Sequence, residues 1–320
     1  MKFLIYIETD GGKPASGSIE LIDAASSVGA ESNAVLIGNG LEKAAEEATL
    51  EGAASVTALD APDDPTEEYL TEALSAFAEK EDYSGILLPA SVTGKHLAGR
   101  LAGRLGIAVI NDAVRIRSDA GTLTVTRPAY SGALLETVRA NGPAVISLRR
   151  GSYEKREKPV SGPAVVKEAE LRLPEDALRT RVREWIAETE DTVDLESARV
   201  IVTGGRGMGS RENFALCKEL ADLLGGVLGA TRPVIENGWI GRTHQVGQSG
   251  KIVAPDLYIA CGVSGAVQHL SGIMGSRYII AINKDEDAPI FSVADLGIVG
   301  DVKKILPLMI EELRKRRENA

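Results

Sequence analysis

Three short stretches of this chain combine glycine with residues that can hold an anion. Gly204-Gly205-Arg206-Gly207-Met208-Gly209-Ser210 follows one apolar run, and Ser264-Gly265-Ala266-Val267-Gln268-His269 follows another, Asp256 to Cys261. Between them, Gln245-Val246-Gly247-Gln248-Ser249-Gly250-Lys251 sets amide, hydroxyl and ammonium groups among glycines. A glycine-rich turn from strand to helix lets backbone N–H groups approach a phosphate or pyrophosphate closely. Two further apolar runs, Arg277 to Ile282 and Leu296 to Val299, end in Asn283-Lys284-Asp285 and Gly300-Asp301. Polar residues at consecutive strand ends mark the place where an open parallel sheet keeps a ligand. The chemistry indicated is the binding of a phosphate-bearing cofactor. No competing set for substrate conversion is present in the sequence: no Ser-His-Asp elbow, no metal-ligand cluster and no cysteine beside a histidine.

Other stretches imitate binding motifs and fail on spacing. Gly247 to Lys251 reads Gly-x-x-Gly-Lys, and Ile252 stands where a nucleoside-triphosphate loop needs Ser or Thr for Mg²⁺. Gly94-Lys95-His96 fails similarly, and His96 reads as a solvated helix residue. Gly38-Asn39-Gly40 with Asp60 resembles half of a dinucleotide fingerprint, but Lys43 occupies the third glycine position, so an ordinary turn is expected. His244 has no Cys or second His at zinc spacing. Thr231-Arg232 is ambiguous, because an arginine after a strand is ordinarily a surface or ion-pair residue. Cys217 and Cys261, the only cysteines, stand far apart and are expected as buried free thiols.

These motifs need elements to position them. With 320 residues the chain suits two domains, each able to bury a core. A net charge of −10 argues against a nucleic-acid or anionic-membrane surface. Met1 to Ile7 is too short, and Glu8 and Asp10 follow too soon, for a signal or spanning segment, so a cytoplasmic protein is expected. In the first half, apolar runs at Phe3–Ile7, Asn33–Ile37, Ala54–Leu59, Gly85–Pro89 and Ala144–Leu148 alternate with helical patterns at Ile19–Ser27, Thr66–Glu79 and Lys95–Leu105. That alternation predicts a doubly wound α/β domain, with Val125–Tyr130 and Gly132 in an added antiparallel excursion. The second half predicts strands at Arg199–Thr203, Asp256–Cys261, Arg277–Ile282 and Leu296–Val299, with an amphipathic run from Ala266 to Met274. Helices are predicted from Arg211 to Leu224 and from about Val302. Acidic clusters within Arg172–Ser197 place the boundary: a first domain over 1–186, a linker over 187–197 and a second domain over 198–320.

Several of these segments, taken together and in order, resemble the α subunit of the electron transfer flavoproteins. They are the 245–251 and 264–269 stretches, Ala281-Ile282-Asn283-Lys284-Asp285, Ala288-Pro289-Ile290-Phe291 and Ala294 to Asp301. Looser matches at Ser16 to Leu21, Thr93-Gly94-Lys95 and Arg127 to Gly132 extend the resemblance over the whole chain. It implies two doubly wound parallel-sheet domains, the C-terminal one a Rossmann-like, deoxyhypusine-synthase-like FAD-binding domain. Position by position, it implies that Arg206 and Thr231 contact FAD and that Arg232 lies near the isoalloxazine ring, reversing the surface reading. Gln245, Val246, Gly247, Gln248 and Ser249 would wrap the flavin edge. Ser264, Gly265, Ala266, Val267, Gln268 and His269 would hold the pyrophosphate and ribityl region, with His269 at the pyrimidine side. Asn283, Asp301 and Val302 would fix the adenosine portion. Redox tuning of the flavin would fall to Arg232 and His269. Thr231 stands where the family often has Ser, Ser249 where it often has Thr, and Glu236 where it usually has Asp.

The activity so implied is one-electron carriage, as in fatty acid β-oxidation, not conversion of a substrate. Implied partners are a β subunit that docks on the first domain, flavin dehydrogenases such as acyl-CoA dehydrogenases as donors, and a membrane quinone oxidoreductase as acceptor. Two alternatives stay open at this point: a bifurcating relative that uses NADH and a second FAD, and a nucleotide-binding module with no redox role.

Overall fold

The computed structural model describes residues 1–15, 17–61, 65–119, 121–132, 134–153, 165–169, 171, 173, 177–184 and 194–318. The chain divides into two compact units, Met1–Tyr130 with Leu134–Ile186, and Ala187–Ala320 with Ser131–Ala133. Among the described residues no helix is long and apolar enough to cross a membrane.

The first unit runs β1 (Lys2–Tyr6), two short strands β2 (Thr9–Asp10) and β3 (Lys13–Pro14), α1 (Glu20–Ser27), β4 (Glu31–Gly38), α2 (Glu42–Leu50), β5 (Ser55–Asp60) and α3 (Glu67–Ala78). It continues through β6 (Gly85–Pro89), α4 (Val92–Leu105), β7 (Ala108–Ala113), β8 (Arg115–Asp119), β9 (Thr122–Ala129), β10 (Leu134–Ala140), β11 (Ala144–Leu148) and β12 (Val165–Ala169). Seven strands form a parallel sheet in the order β12-β5-β4-β1-β6-β11-β7. Central β1 is buried on both faces, so its sequence is a continuous apolar run and not an alternating one. Phe3 and Ile5 join one core while Leu4 and Tyr6 join the other, as the two-residue period of a strand requires. The predicted antiparallel excursion is a three-stranded sheet, β10-β9-β8.

The second unit runs β13 (Val200–Gly204), α5 (Arg211–Leu223), β14 (Val227–Ala230), α6 (Arg232–Glu236), β15 (Leu257–Cys261), α7 (Val267–Leu270), β16 (Ile279–Asn283), β17 (Leu296–Val299) and α8 (Val302–Glu318). Its five strands are all parallel, in the order β14-β13-β15-β16-β17. The direction of winding reverses between β13 and β15, which makes the crevice beyond their carboxyl ends the topological switch point. Ser210 caps α5 by accepting the Asn213 N–H at 3.3 Å, so the turn after β13 enters its helix at a defined angle.

The amphipathic run expected from Ala266 to Met274 is helical only over Val267–Leu270. Beyond it Gly272 meets the Gly247 backbone so closely that an added Cβ would lie 2.5 Å from the Gly247 Cα, and the chain turns there. Residues 187–193 of the expected linker lie outside the described residues. Asp194–Ser197 forms a turn, tied by the Asp194 carboxylate to the Ser197 N–H at 3.0 Å. Leu195 within it is wholly buried in the second unit's core, so this part of the expected linker is a packed segment of that unit.

Candidate cofactor site

A cavity of about 670 Å³ opens at the carboxyl ends of β13, β14, β15 and β16, on the switch point. Its volume falls in the range of small-molecule and cofactor pockets. One wall is backbone against backbone. A Cβ added at Gly205 would lie 2.3 Å from the Gly262 carbonyl oxygen, and one at Gly207 would lie 2.7 Å from the same atom. Glycine at these positions lets the turns after β13 and β15 approach each other and leaves the cavity floor free of side chains.

The turn after β15 supplies unused donors. Among the described residues, the backbone N–H groups of Ser264, Gly265, Ala266, Val267 and Gln268 donate to no protein acceptor. Backbone donors in a folded chain are normally paired, so a consecutive unpaired run at a cavity points to an acceptor brought from outside. The turn is held rigidly from behind. Gly265 sits at φ +83°, where an added Cβ would meet the Ile290 nitrogen at 2.3 Å, and Ile290 N–H donates to Ser264 O at 3.1 Å. Asn283 braces it as well, its Nδ2 donating to Val263 O at 2.8 Å and its Oδ1 accepting from Asp285 N–H at 3.1 Å.

The 245–251 loop forms another wall. Val246 N–H donates to Ala230 O (3.0 Å), Gly247 N–H to Lys251 O (3.0 Å) and Gln248 N–H to Gln268 O (2.8 Å). Gln245 Nε2 donates to Ser249 Oγ at 2.9 Å. His269, only 7% exposed, has Nδ1 3.1 Å from Val246 O and Nε2 3.0 Å from the Tyr258 hydroxyl. Burial lowers its pKa to about 4, against the opposing effect of the Val246 carbonyl. The imidazole is therefore neutral near pH 7, and both nitrogens already have protein partners.

Arg206, Arg232 and Lys284 bring positive charge to the rim, and Asp285 brings one carboxylate. The Arg232 side chain is 68% exposed and its Nε donates to Glu236 Oε1 at 2.8 Å, one helical turn further along α6. The surface ion-pair reading of Arg232 and its placement at the cavity thus both hold. Thr231 is buried beside it.

Of the residues that the resemblance implied as cofactor contacts, Val267, Asp301 and Val302 do not line the cavity, and the others do. Val267 is 48% exposed, while Val302, the first residue of α8, is buried in the core. Asp301 caps α8, accepting Lys303 N–H on its carboxylate at 3.0 Å. The cavity also takes in Gly205, Gly207, Pro233, Gly262, Val263, Lys284 and Asp285. The glycine-rich turn and the Asn-Lys-Asp strand end signalled most of these in the sequence, and Pro233 had no signal.

The imitated motifs resolve as ordinary structure. Gly94 lies in the first turn of α4, its N–H capped by Ser91 Oγ at 2.9 Å, and His96 pairs with Glu67 at 2.8 Å. Gly40 occupies a left-handed turn at φ +64°. His244 Nδ1 donates to Leu228 O at 2.7 Å. Cys217 and Cys261 are free and buried. No group of residues able to hold a metal ion occurs among the described residues.

Comparison with known proteins agrees with this geometry. Residues 3–174 match the electron transfer flavoprotein domain, and residues 194–274 match the electron transfer flavoprotein FAD-binding domain. The chain is 40% identical to the electron transfer flavoprotein subunit alpha of Thermoanaerobacterium thermosaccharolyticum, covering 97% of each. It is 39% identical to Protein FixB of Clostridium saccharobutylicum, over 97% of this chain and 96% of that protein. It is also 39% identical to the mitochondrial electron transfer flavoprotein subunit alpha of Arabidopsis thaliana, over 98% of this chain and 90% of that one. FAD fits the residues present: the unpaired N–H run suits a pyrophosphate, and the glycine wall leaves room for backbone to approach it.

Proposed function

Because this chain belongs to the electron transfer flavoprotein α-subunit family and its cofactor is FAD, we propose that the second unit's cavity is where the cofactor sits and where electrons pass. The unpaired N–H groups of residues 264–268 carry this reading. They receive the pyrophosphate, Ser264 and Asn283 keep that turn in place, and Gln245 to Ser249 close over the ring. Arg206, Thr231 and Arg232 complete the contacts, with the Arg232 guanidinium placed to favour negative charge near the ring. FAD, when bound, accepts and releases the electrons. The chain binds it, orients it and excludes water from it.

The chain works with an electron transfer flavoprotein β subunit, which docks on the first unit. It takes electrons from flavin dehydrogenases such as acyl-CoA dehydrogenases and delivers them to a membrane quinone oxidoreductase. The test is flavin stoichiometry together with anaerobic reduction of the heterodimer. One FAD per heterodimer, reduced by an acyl-CoA dehydrogenase with its substrate and not by NADH, is the expected result. Two FAD and direct reduction by NADH would make it a bifurcating type. A colourless heterodimer that takes up no FAD would refute the reading.

A further inference from the structure

We propose that Tyr258 is a positioning residue: its phenol fixes His269 as the Nδ1-protonated neutral tautomer, and that tautomer pins the Val246–Ser249 loop in its cofactor-receiving shape. The inference rests on the FAD reading of the cavity and adds a residue that does not line it.

The assignment follows from which atoms can donate. His269 Nδ1 faces the Val246 carbonyl oxygen at 3.1 Å, and a carbonyl only accepts, so Nδ1 carries a proton. At Nε2, 3.0 Å from the phenol, two arrangements remain. Either Nε2 is bare and accepts the phenol proton, or it is protonated and the ring is a cation. The surroundings decide. Tyr258 is wholly buried in the cluster that holds Ile201, Val246, Val253, Ile273 and Ile279, and among the described residues no ion pair reaches His269, so an imidazolium here would be a buried charge without a counter-ion. Burial also raises the Tyr258 pKa, which keeps the phenol protonated and able to donate. Thr203 Oγ1 is buried without a hydrogen-bond partner, so the bond the phenol makes is the one to His269.

The pair therefore links three elements: Tyr258 on β15, His269 on α7, and the loop carbonyl of Val246. The Gln248 N–H bond to Gln268 O at 2.8 Å ties the loop to α7 as well, and Gly272, just beyond the helix, approaches Gly247 closely. In the opposite tautomer a bare Nδ1 would face the Val246 oxygen, two lone pairs in opposition, and the tie would be lost. With Nδ1–H on Val246 O and Nε2 on Tyr258, the ring acts on the cofactor through the loop it holds.

The experiment uses heterodimer in which only this chain carries ¹⁵N-histidine, giving three labelled residues in all. The imidazole ¹⁵N resonances are read with and without FAD, in wild type and in Tyr258→Phe, and FAD dissociation constants are measured in parallel. The expected wild-type signature is a protonated Nδ1 and a bare, hydrogen-bonded Nε2, already present without FAD. Tyr258→Phe is expected to mix the tautomers and weaken FAD binding about tenfold, the effect of one buried hydrogen bond. In His269→Asn, whose side-chain amide can still donate to Val246 O, the added Tyr258→Phe change should no longer affect FAD binding. A protonated Nε2 in wild type would overturn the proposal, as would a Tyr258→Phe protein unchanged in tautomer. So would a variant with altered tautomer and unaltered FAD affinity. Failure of the wild-type heterodimer to bind FAD would sink the cofactor reading alone, because the tautomer is also read without it.

Discussion

At the strand ends of the first unit, Asp112 at the end of β7 accepts hydrogen bonds from Arg149 and lies 3.5 Å from Lys95 Nζ. Ser147 Oγ there accepts the Asp112 N–H and donates to Asn111 Oδ1, both at 2.9 Å. The Glu20 carboxylate accepts the Gly151 N–H at 2.9 Å. At the corresponding ends of the second unit's strands, five consecutive N–H groups have no acceptor among the described residues and stand beside a cavity. Both units are parallel sheets whose winding reverses at a central strand. The difference lies in whether the polar groups find partners within the chain. Burial alone would raise the Asp112 pKa, yet Arg149 and then Lys95 outweigh it and hold the carboxyl below its usual range. The same architecture thus makes a self-satisfied structural cluster in one unit and a receptive site in the other, which is why function has to be read from the site and not from the fold.

The comparison breaks most visibly at Gly265. At φ +83°, with the Ile290 nitrogen 2.3 Å from an added Cβ, Gly265→Ala must displace the turn that carries the N–H run. The expected result is loss of FAD on gel filtration and a fall in stability of about 3 kcal/mol. Full FAD retention would show that the run is not the cradle.

Asp112→Ala addresses the other side. It removes the carboxylate that pairs with the Arg149 side chain, only 10% exposed, and is expected to cost about 3 kcal/mol in denaturant unfolding. Since the first unit's cluster is structural, FAD content of the folded protein should not change.

The third prediction is a pH dependence specific to the second unit. The folded pKa of His269, about 4, lies below the ordinary 6.5, so the unfolded chain binds more protons between these values. Stability is then full above about pH 6.5 and falls as pH drops toward 4, by about 2 kcal/mol at pH 5. In His269→Gln that contribution should vanish, and the gap between the two proteins should narrow on acidification. A gap constant from pH 7.5 to pH 5 would contradict the buried neutral imidazole.

The smallest effect is expected at Arg232. Its guanidinium is exposed and paired with Glu236, so at about 4 Å and a water-like dielectric its loss should lower the first one-electron potential of the bound flavin by only about 40 mV. Glu236→Gln, which frees the guanidinium, should move the potential the other way. Spectroelectrochemical titration reads both.

How much of this was legible in the sequence depended on where the constraint lay. The strands Gly85–Pro89, Ala144–Leu148 and Leu296–Val299 coincide with the predicted runs residue for residue, because short apolar segments bracketed by turn residues have few other uses. The strand Val227–Ala230 was not legible. It carries Gly229 where an added Cβ would meet Thr203 Oγ1 at 2.4 Å, a tertiary demand that weakens the local strand signal. In the site, motif spacing found the two loops, but the resemblance carried whole stretches over without telling which members face the cavity, so Val267 and Val302 were included although one is exposed and the other lies in the core. The contacts of His269 were the least legible of all, since they are made to Tyr258 on β15 and to a carbonyl of another loop.

The central claim is that the unpaired N–H run of the second unit is what receives the cofactor. Amide hydrogen exchange of the full heterodimer, measured before and after FAD is added, tests it most directly. Strong protection of the amides of residues 264–268 on FAD addition, with those around Lys95, Asp112 and Arg149 unchanged, is the expected result. Protection centred on the first unit's cluster, or none at 264–268 in a protein that has bound FAD, would contradict it.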